Sequence, residues 1–271
     1  MNVSIVIPLY NQLKFTKLCL ESLSAFGRSG AEIILVDNGS SDGTAEFLAP
    51  CSDMTVISNP QNFGCAVAWN QGVKASHGEW VIILNNDVIV PSQWLDGLLQ
   101  FAKQEKLDIV SPAIREGEYN YDIEMYAREY ISKMQNVKRL GIADGICFMV
   151  HRSVFDKIGF FDEHFRIGQF EDVDFFRRAK MAGFRLGITG RSLIHHFGSI
   201  TQKAIRKDKV VRPYEEENRA YYRKKWRLNR WKRFWERRQE KWDHFVWRIG
   251  EKTFYGHTLK EKWQGGRLRY Y

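Results

Sequence analysis

The stretch VIILNNDVIV, residues 81–90, decides the fold. Its first four residues are apolar without alternation. A run that short and that uniform suits a strand buried on both faces. Asn85, Asn86 and Asp87 then interrupt it, and Val88 to Val90 turn apolar again. Three polar groups placed there mark the end of a central strand, where a sheet presents side chains to something other than its core.

Working outward, VSIVIP (3–8) and AEIILVD (31–37) read as buried strands and MTVIS (54–58) as a further strand. Helical spans separate them. Residues 12–26 put Phe15, Cys19, Ser22, Leu23 and Phe26 on one face. A second helix runs through Phe47, with Ser40, Ser41 or Asp42 as its cap. A third is GCAVAWNQGVKAS (64–76), and Pro91 stands at the start of a fourth, SQWLDGLLQFAKQ (92–104). Strands and helices alternating in this way predict an α/β fold, a mostly parallel sheet with helices on both faces. After residue 106 the rhythm breaks. DIVSPAI (108–114) and GICFMVH (145–151) read as strands, and REGEYNYDIEMYAREY (115–130) shows no clear period. EDVDFFRRAKMAGF (171–184) is an amphipathic helix, and FRLGIT (184–189) and SLIHHF (192–197) are short strands.

The 271 residues suffice for one large domain with an extension. No apolar run approaches the roughly 20 residues that span a bilayer, and the first residues form no cleavable signal. Cys19, Cys51, Cys65 and Cys147 show no metal spacing and are expected to be reduced thiols. The expected location is the cytoplasm, with peripheral attachment to the inner face of the membrane as an option. The net charge of +9 is unevenly placed: residues 203–271 hold 22 basic and 9 acidic residues, a net +13, and residues 1–202 a net −4. An acidic partner for the C-terminal part follows: lipid headgroups, nucleic acid, or the protein's own acidic face.

In an open parallel sheet, ligands bind outside the carboxyl ends of the strands. Those ends read Pro8-Leu9-Tyr10-Asn11, Asp37-Asn38-Gly39-Ser40, Asn59 to Gly64, and Asn85-Asn86-Asp87. Any one is ordinary turn chemistry; four converging on one edge point to a polar site. There is no GxGxxG after the first strand, no GxxxxGK[ST] and no GxSxG, which excludes a dinucleotide fold, a P-loop and a nucleophile elbow. Carboxylates, amides and the pair His195–His196 remain. Hard oxygen donors suit Mg²⁺ or Mn²⁺, and such an ion held by one or two side chains bridges to substrate phosphates.

Seven segments in order carry a family resemblance: SIVIPLYN, ILVDNGSSDGT, NFGCAVAWNQG, ILNNDV, GICFMVHRSVFDKIGFFDEHF, EDVDFFRRAKMAGF and HHFGSIT. Over residues 2–202 the chain resembles the GT-A fold, family 2 inverting glycosyltransferases. The resemblance implies transfer of a sugar from a UDP- or dTDP-linked donor to a glycan or lipid-linked saccharide by a single displacement. It places Pro8, Tyr10 and Asn11 at the base and ribose, with Asp37 and Asn38 beside them and Asn62 and Gly64 helping to hold the nucleotide. NND occupies the place of the family's DxD motif, with Asn85 where the first acid would stand. Asp87 becomes a metal ligand for Mn²⁺ or Mg²⁺, and Asn86 lies near the ribose or diphosphate. The resemblance makes Asp172 the catalytic base and Glu171 its companion, and sets Asp144 and Gly145 near the transferred sugar. Without it, Glu171 and Asp172 would read as acids at a helix N-terminus. Adjacent strand residues face opposite ways. Only one histidine therefore reaches the cleft, and the pattern His196–Gly198–Thr201 selects His196, with His195 as the alternative. Asp174 and Trp94 are read as structural. The competing reading is a degenerate transferase that binds a nucleotide sugar or a membrane without catalysis.

In the extension, residues 203–271, the stretch 221–252 places Trp231, Trp235, Trp242, Phe245, Val246 and Ile249 on one side of a helix. That stripe suits an anionic membrane surface. It also suits packing on the domain or self-association. Nucleic acid is not the expected partner, since no recognised motif accompanies the charge.

Overall fold

The computed structural model describes residues 2–26, 30–198, 200 and 214–271. Its first half alternates as expected: β1 (Val3–Leu9), α1 (Leu13–Phe26), β2 (Glu32–Asp37), α2 (Thr44–Leu48), β3 (Thr55–Ser58), α3 (Cys65–Ala75), β4 (Trp80–Leu84), β5 (Val88–Ile89) and α4 (Trp94–Glu105). The second half adds β6 (Ile109–Gly117), α5 (Ile123–Met134), β7 (Lys138–Leu140), β8 (Cys147–His151), α6 (Arg152–Ile158), α7 (Glu171–Met181) and β9 (Leu186–His196). Two helices, α8 (Tyr214–Lys225) and α9 (Arg230–Tyr255), and two strands, β10 (Lys260–Gln264) and β11 (Arg267–Tyr270), complete the chain.

The sheet runs β11-β10-β6-β8-β4-β1-β2-β3. The β4-β1-β2-β3 half is parallel, and β8 lies antiparallel between β4 and β6. The unalternating apolar run now has its reason. Ile82 and Leu84 pack with α1 and α4 on one face, while Val81 and Ile83 pack with α3, α6 and α7 on the other. Ile82 and Ile83 are wholly buried, and each contributes about 1.5–3 kcal/mol by leaving water. Trp94 is wholly buried, as read.

Five local expectations need correction. Helix α2 starts at Thr44 after Gly43, so none of Ser40, Ser41 or Asp42 caps it. Asp42 instead accepts hydrogen bonds from the Leu13 N–H (2.8 Å) and the Thr44 hydroxyl (2.6 Å). Helix α4 starts at Trp94, beyond Pro91, because Gln93 takes a left-handed φ of 64°. Residues 123–134 form a helix whose period the tyrosines and charges hide. Ile123, Ala127, Tyr130 and Met134 bury one face, and Asp122 caps the N-terminus through Met125 N–H. The two short strands expected at 184–197 are one, β9; a register shift opposite Pro112/Ala113 bulges the chain between Thr189 and Leu193. The extension, finally, is not helical throughout: β10 pairs in parallel with β6 and β11 pairs with β10, so its end belongs to the main sheet. The boundary between residues 202 and 203 lies outside the described residues.

Several contacts lock the extension to the body. Buried Arg139 is held by both oxygens of Glu251, at 2.7 and 2.8 Å. Asn218 donates to the carbonyls of Arg166 and Gly168, both at 2.9 Å. Asp174 accepts from Lys225 (2.8 Å) and the Trp226 indole (2.9 Å), a structural use in keeping with its reading.

Candidate active site

The carboxyl ends of β1, β2 and β3 form one bonded cluster. Asn38 N–H donates to the Leu9 carbonyl (2.8 Å) and Asn59 N–H to that of Asp37 (2.8 Å). The Asn38 amide donates to Asn62 Oδ1 (2.9 Å) and accepts from Asn59 Nδ2 (3.0 Å) and Phe63 N–H (3.1 Å). Asn38 and Asn62 therefore shape the loop. Asn11 works similarly: its Oδ1 accepts from Ser41 N–H (2.7 Å), and its N–H donates to the Ser40 hydroxyl (2.7 Å). Asp37 is buried, and its Oδ1 receives Ser40 N–H (3.0 Å). Pro8, on β1 opposite Val36, and Tyr10 are half-buried at the same edge. Gly64 has φ 95°, and a Cβ there would sit 2.7 Å from the Ile167 nitrogen, so the loop after β3 is pressed against the chain leading into α7.

Next along the edge, Asp87 and His196 meet: Asp87 Oδ2 lies 3.3 Å from His196 Nε2, both buried. They come together because β5 pairs antiparallel with β9, Val88 opposite His196. His195 turns the other way, to the Tyr121 hydroxyl at 3.0 Å. The pattern position Thr201 lies outside the described residues. Asn86 is buried and donates to Thr16 Oγ1 at 3.0 Å, so its amide anchors the turn to α1. His196 Nδ1 lies 3.8 Å from Glu116, which also receives the Lys262 ammonium at 2.7 Å. Burial opposes a charge on His196, but Asp87 and Glu116 outweigh it and raise its pKa to about 9. Burial likewise opposes ionisation of Asp87, and His196 overcomes it and holds that carboxyl low. His196 in turn leads the groups that bring Glu116 down to about 2.

An oxygen donor facing an imidazole nitrogen is a donor set that Mn²⁺ accepts, whereas Mg²⁺ would rest on the Asp87 oxygen. Among the described residues no group of three or more His, Cys, Asp or Glu is arranged to hold a metal. Two protein ligands fit an ion that takes its other ligands from substrate phosphates and water.

The third part is the N-terminus of α7. Glu171 is buried, its Oε2 meets no hydrogen-bond donor, and burial followed by the charge of Asp172 raises its pKa. Burial is also the main cause that lifts Asp172 from 3.8 to about 6; Val173 N–H opposes the shift and Asp144 adds to it. Asp172 lies against Gly145: a Cβ there would stand 2.0 Å from its Oδ2. Asp144 accepts Lys260 at 2.9 Å, and Asn85 N–H donates to the Ile146 carbonyl at 3.1 Å. That turn thus links the start of α7 to the Asp87–His196 pair.

Residues 4–174 match the family model for glycosyl transferase family 2. The chain belongs to glycosyltransferase family 2. Among curated proteins, this family 2 chain is 26% identical over 220 residues to the glycosyltransferase AglE of Haloferax volcanii, covering 75% of this chain and 71% of AglE. Among solved structures, GalNAc-T7 with UDP, GalNAc and Mn²⁺ matches at a TM-score of 0.59 and 17% identity, covering 73% of this chain and 44% of that one. S. aureus TarS in complex with UDP-GlcNAc matches at 0.56 and 18%, covering 73% and 58%. These likenesses establish the GT-A architecture; this chain spans about half the length of those two structures.

Reading the sequence missed Glu116, Lys260 and Lys262. Glu116 sits in the stretch where no period was seen. The lysines carried one signal: Lys260-Glu261-Lys262-Trp263 alternates with a period of two, so both lysines share a strand face.

Proposed function

We propose that this chain is an inverting glycosyltransferase, transferring a hexosyl or deoxyhexosyl group from a UDP- or dTDP-sugar to a glycan or lipid-linked saccharide. The observation that carries the proposal is the part-buried Asp172 carboxylate, packed on Gly145 beside the linked Asp144–Asn85–Asp87 edge. With its pKa near 6, Asp172 is ionised at neutral pH yet basic enough to take a proton. An acceptor hydroxyl would attack the anomeric carbon as its proton passes to Asp172, while the bond from that carbon to the donor's diphosphate oxygen breaks. Glu171, holding its proton through burial, would orient the acceptor. Asp37, Pro8, Tyr10 and Asn11 would line the nucleoside, with Asn38, Asn62 and Gly64 keeping the loop in shape. Asn86 would hold the turn near the diphosphate, and Asp144 would face the transferred sugar. Asp87 and His196 would hold Mn²⁺ or Mg²⁺, which when bound stabilises negative charge on the departing diphosphate. The residues 1–202 would form the catalytic unit, and 203–271 an extension that completes its sheet.

Asn85, in place of an acid, favours a second reading: a chain that binds a nucleotide sugar without transferring it. One experiment separates the two. Thermal-shift screening of a nucleotide-sugar panel with Mn²⁺ identifies the donor, and release of nucleoside diphosphate from that donor is then measured. The proposal expects release that stops with Asp172→Asn. Stabilisation without release would establish the second reading.

A further inference from the structure

On α9 the acidic and aromatic residues are sorted by direction. Taken at about 100° per residue, Trp231, Phe234, Trp235, Trp242, Phe245, Val246 and Ile249 fall within an arc of about 120°. The structure leaves that arc in solvent: Trp231, Trp235 and Trp242 are 73%, 62% and 63% exposed. It therefore does not pack on the domain. The opposite face does. Glu236 pairs with Arg177, Glu251 pairs with Arg139, and Glu240, Asp243 and Trp247 line the groove between α9 and α7. All four acids of the helix thus lie on the side away from the stripe, Glu240 exposed at the rim of the groove. The residues beside the outward stripe are Lys232 on one flank and Lys241, Arg248 and Lys252 on the other, all exposed, with Arg238 within the stripe. The guanidinium groups of Arg238 and Arg248 lie over Phe234 and Phe245, at 5.9 and 6.0 Å, their stems along the apolar surface.

We propose that the outer face of α9 docks in the plane of an anionic lipid bilayer. Three tryptophans would sit at headgroup depth, and the cations would face the lipid charge, most densely on the flank of Lys241, Arg248 and Lys252, which carries no carboxylate. The charge pattern disfavours a second copy as the occupant, because two stripes face to face would bring their cationic rims together. No helix among the described residues is long and apolar enough to cross a membrane, so α9 lies on the surface. The stripe from Trp231 to Ile249 is about 28 Å long at about 1.5 Å per residue. This inference does not rest on the transferase reading, and its test uses neither donor nor acceptor.

The full chain is sedimented with vesicles of phosphatidylcholine alone and with vesicles containing about one third phosphatidylglycerol. The proposal expects binding to the second and little to the first, with release at high salt. The triple variant Trp231→Ser, Trp235→Ser, Trp242→Ser should lose binding while keeping its melting temperature, since those side chains touch solvent. Lys232→Gln, Lys241→Gln and Arg248→Gln together should weaken binding on the order of a hundredfold, at about fivefold per basic residue. Equal binding to both vesicle types, or unchanged binding by the triple tryptophan variant, would overturn the proposal. So would a chain that ignores vesicles and forms a dimer by light scattering which the tryptophan variant dissociates.

Discussion

Replacing Asp172 by asparagine should cut turnover by orders of magnitude and make the protein more stable. The carboxyl titrates at about 6 in the folded chain against an ordinary 3.8. At about 1.4 kcal/mol per pKa unit, keeping it ionised at neutral pH would cost the fold up to about 3 kcal/mol. Water reaches part of this side chain and screens its charge, which discounts that ceiling severalfold. The net relief is about 1 kcal/mol, a rise of roughly 2–4 °C in melting temperature for a chain this size. Asparagine keeps the Oδ1 that accepts Val173 N–H at 2.8 Å, so the helix start survives. The sign has its own control. Between pH 4 and 6 the folded state binds more protons than the unfolded one, so the wild type loses stability as pH rises through that window. The variant's advantage should be present at pH 7.5 and vanish near pH 4. Differential scanning fluorimetry at both pH values reads the stability, and nucleoside-diphosphate release reads a loss of about 10²–10⁴-fold. A variant that turns over normally would refute the base. A variant less stable at pH 7.5 would refute the electrostatic account of why Asp172 is basic.

Three further outcomes follow from the geometry. Gly145→Ala places a Cβ 2.0 Å from Asp172 Oδ2, so the carboxylate must shift; turnover should fall at least tenfold, with the nucleotide-binding thermal shift retained. Asp87→Asn or His196→Gln should remove the Mn²⁺-dependent part of the donor's thermal shift, and EDTA should do the same to the wild type; a metal-independent shift in all three would dismiss the two-ligand site. Glu251→Ala strands the buried Arg139 guanidinium, which should cost about 3–5 kcal/mol and lower the denaturation midpoint in urea.

The sequence disclosed the parallel half because β1, β2 and β4 are compact apolar runs buried on two faces and closed by polar turn residues, with the exposed edge strand β3 beside them. Asp87 and Asp172 stood out for another reason: the ordered family motifs picked them, since by period alone Asp172 reads only as an acid at a helix N-terminus. Helix α5 escaped because Tyr121, Tyr126 and Tyr130 serve two purposes at once. Tyr121 and Tyr126 sandwich the buried Arg115 guanidinium at 3.8 and 3.9 Å, and Tyr130 bonds the Thr258 carbonyl at 2.8 Å. Polar-tipped tyrosines that reach long-range partners, with Glu124, Arg128 and Glu129 between them, mask the apolar period of Ile123, Ala127, Tyr130 and Met134. Glu116 was hidden for a related reason: its partners His196 and Lys262 come from strands that only the tertiary fold places beside β6. The amides of Asn38, Asn62 and Asn86 carried the reverse lesson. They were read as ligand positions, and the structure gives each a second task, in hydrogen bonds to one another, to the loop after β3 and to Thr16 that order the site.

The charge asymmetry can then be resolved residue by residue. The cations that face the body are spent on its carboxylates: Lys225 on Asp162 and Asp174, Lys260 on Asp144, Lys262 on Glu116. The tryptophans divide by the same rule. Trp226 donates to Asp174, Trp247 lies under Arg139 and Trp263 beside Arg115, whereas Trp231, Trp235 and Trp242 face solvent. A module that merely carried positive charge would not separate its residues this way. The sorting means that one segment has two loyalties. Its inward half holds Asp144 and Glu116, the carboxylates next to the proposed base and metal ligands, and its outward half presents aromatic and cationic groups to a surface. Truncation before β10 should therefore damage the site itself, whereas substitutions on the outer face of α9 should leave turnover of a water-soluble acceptor intact.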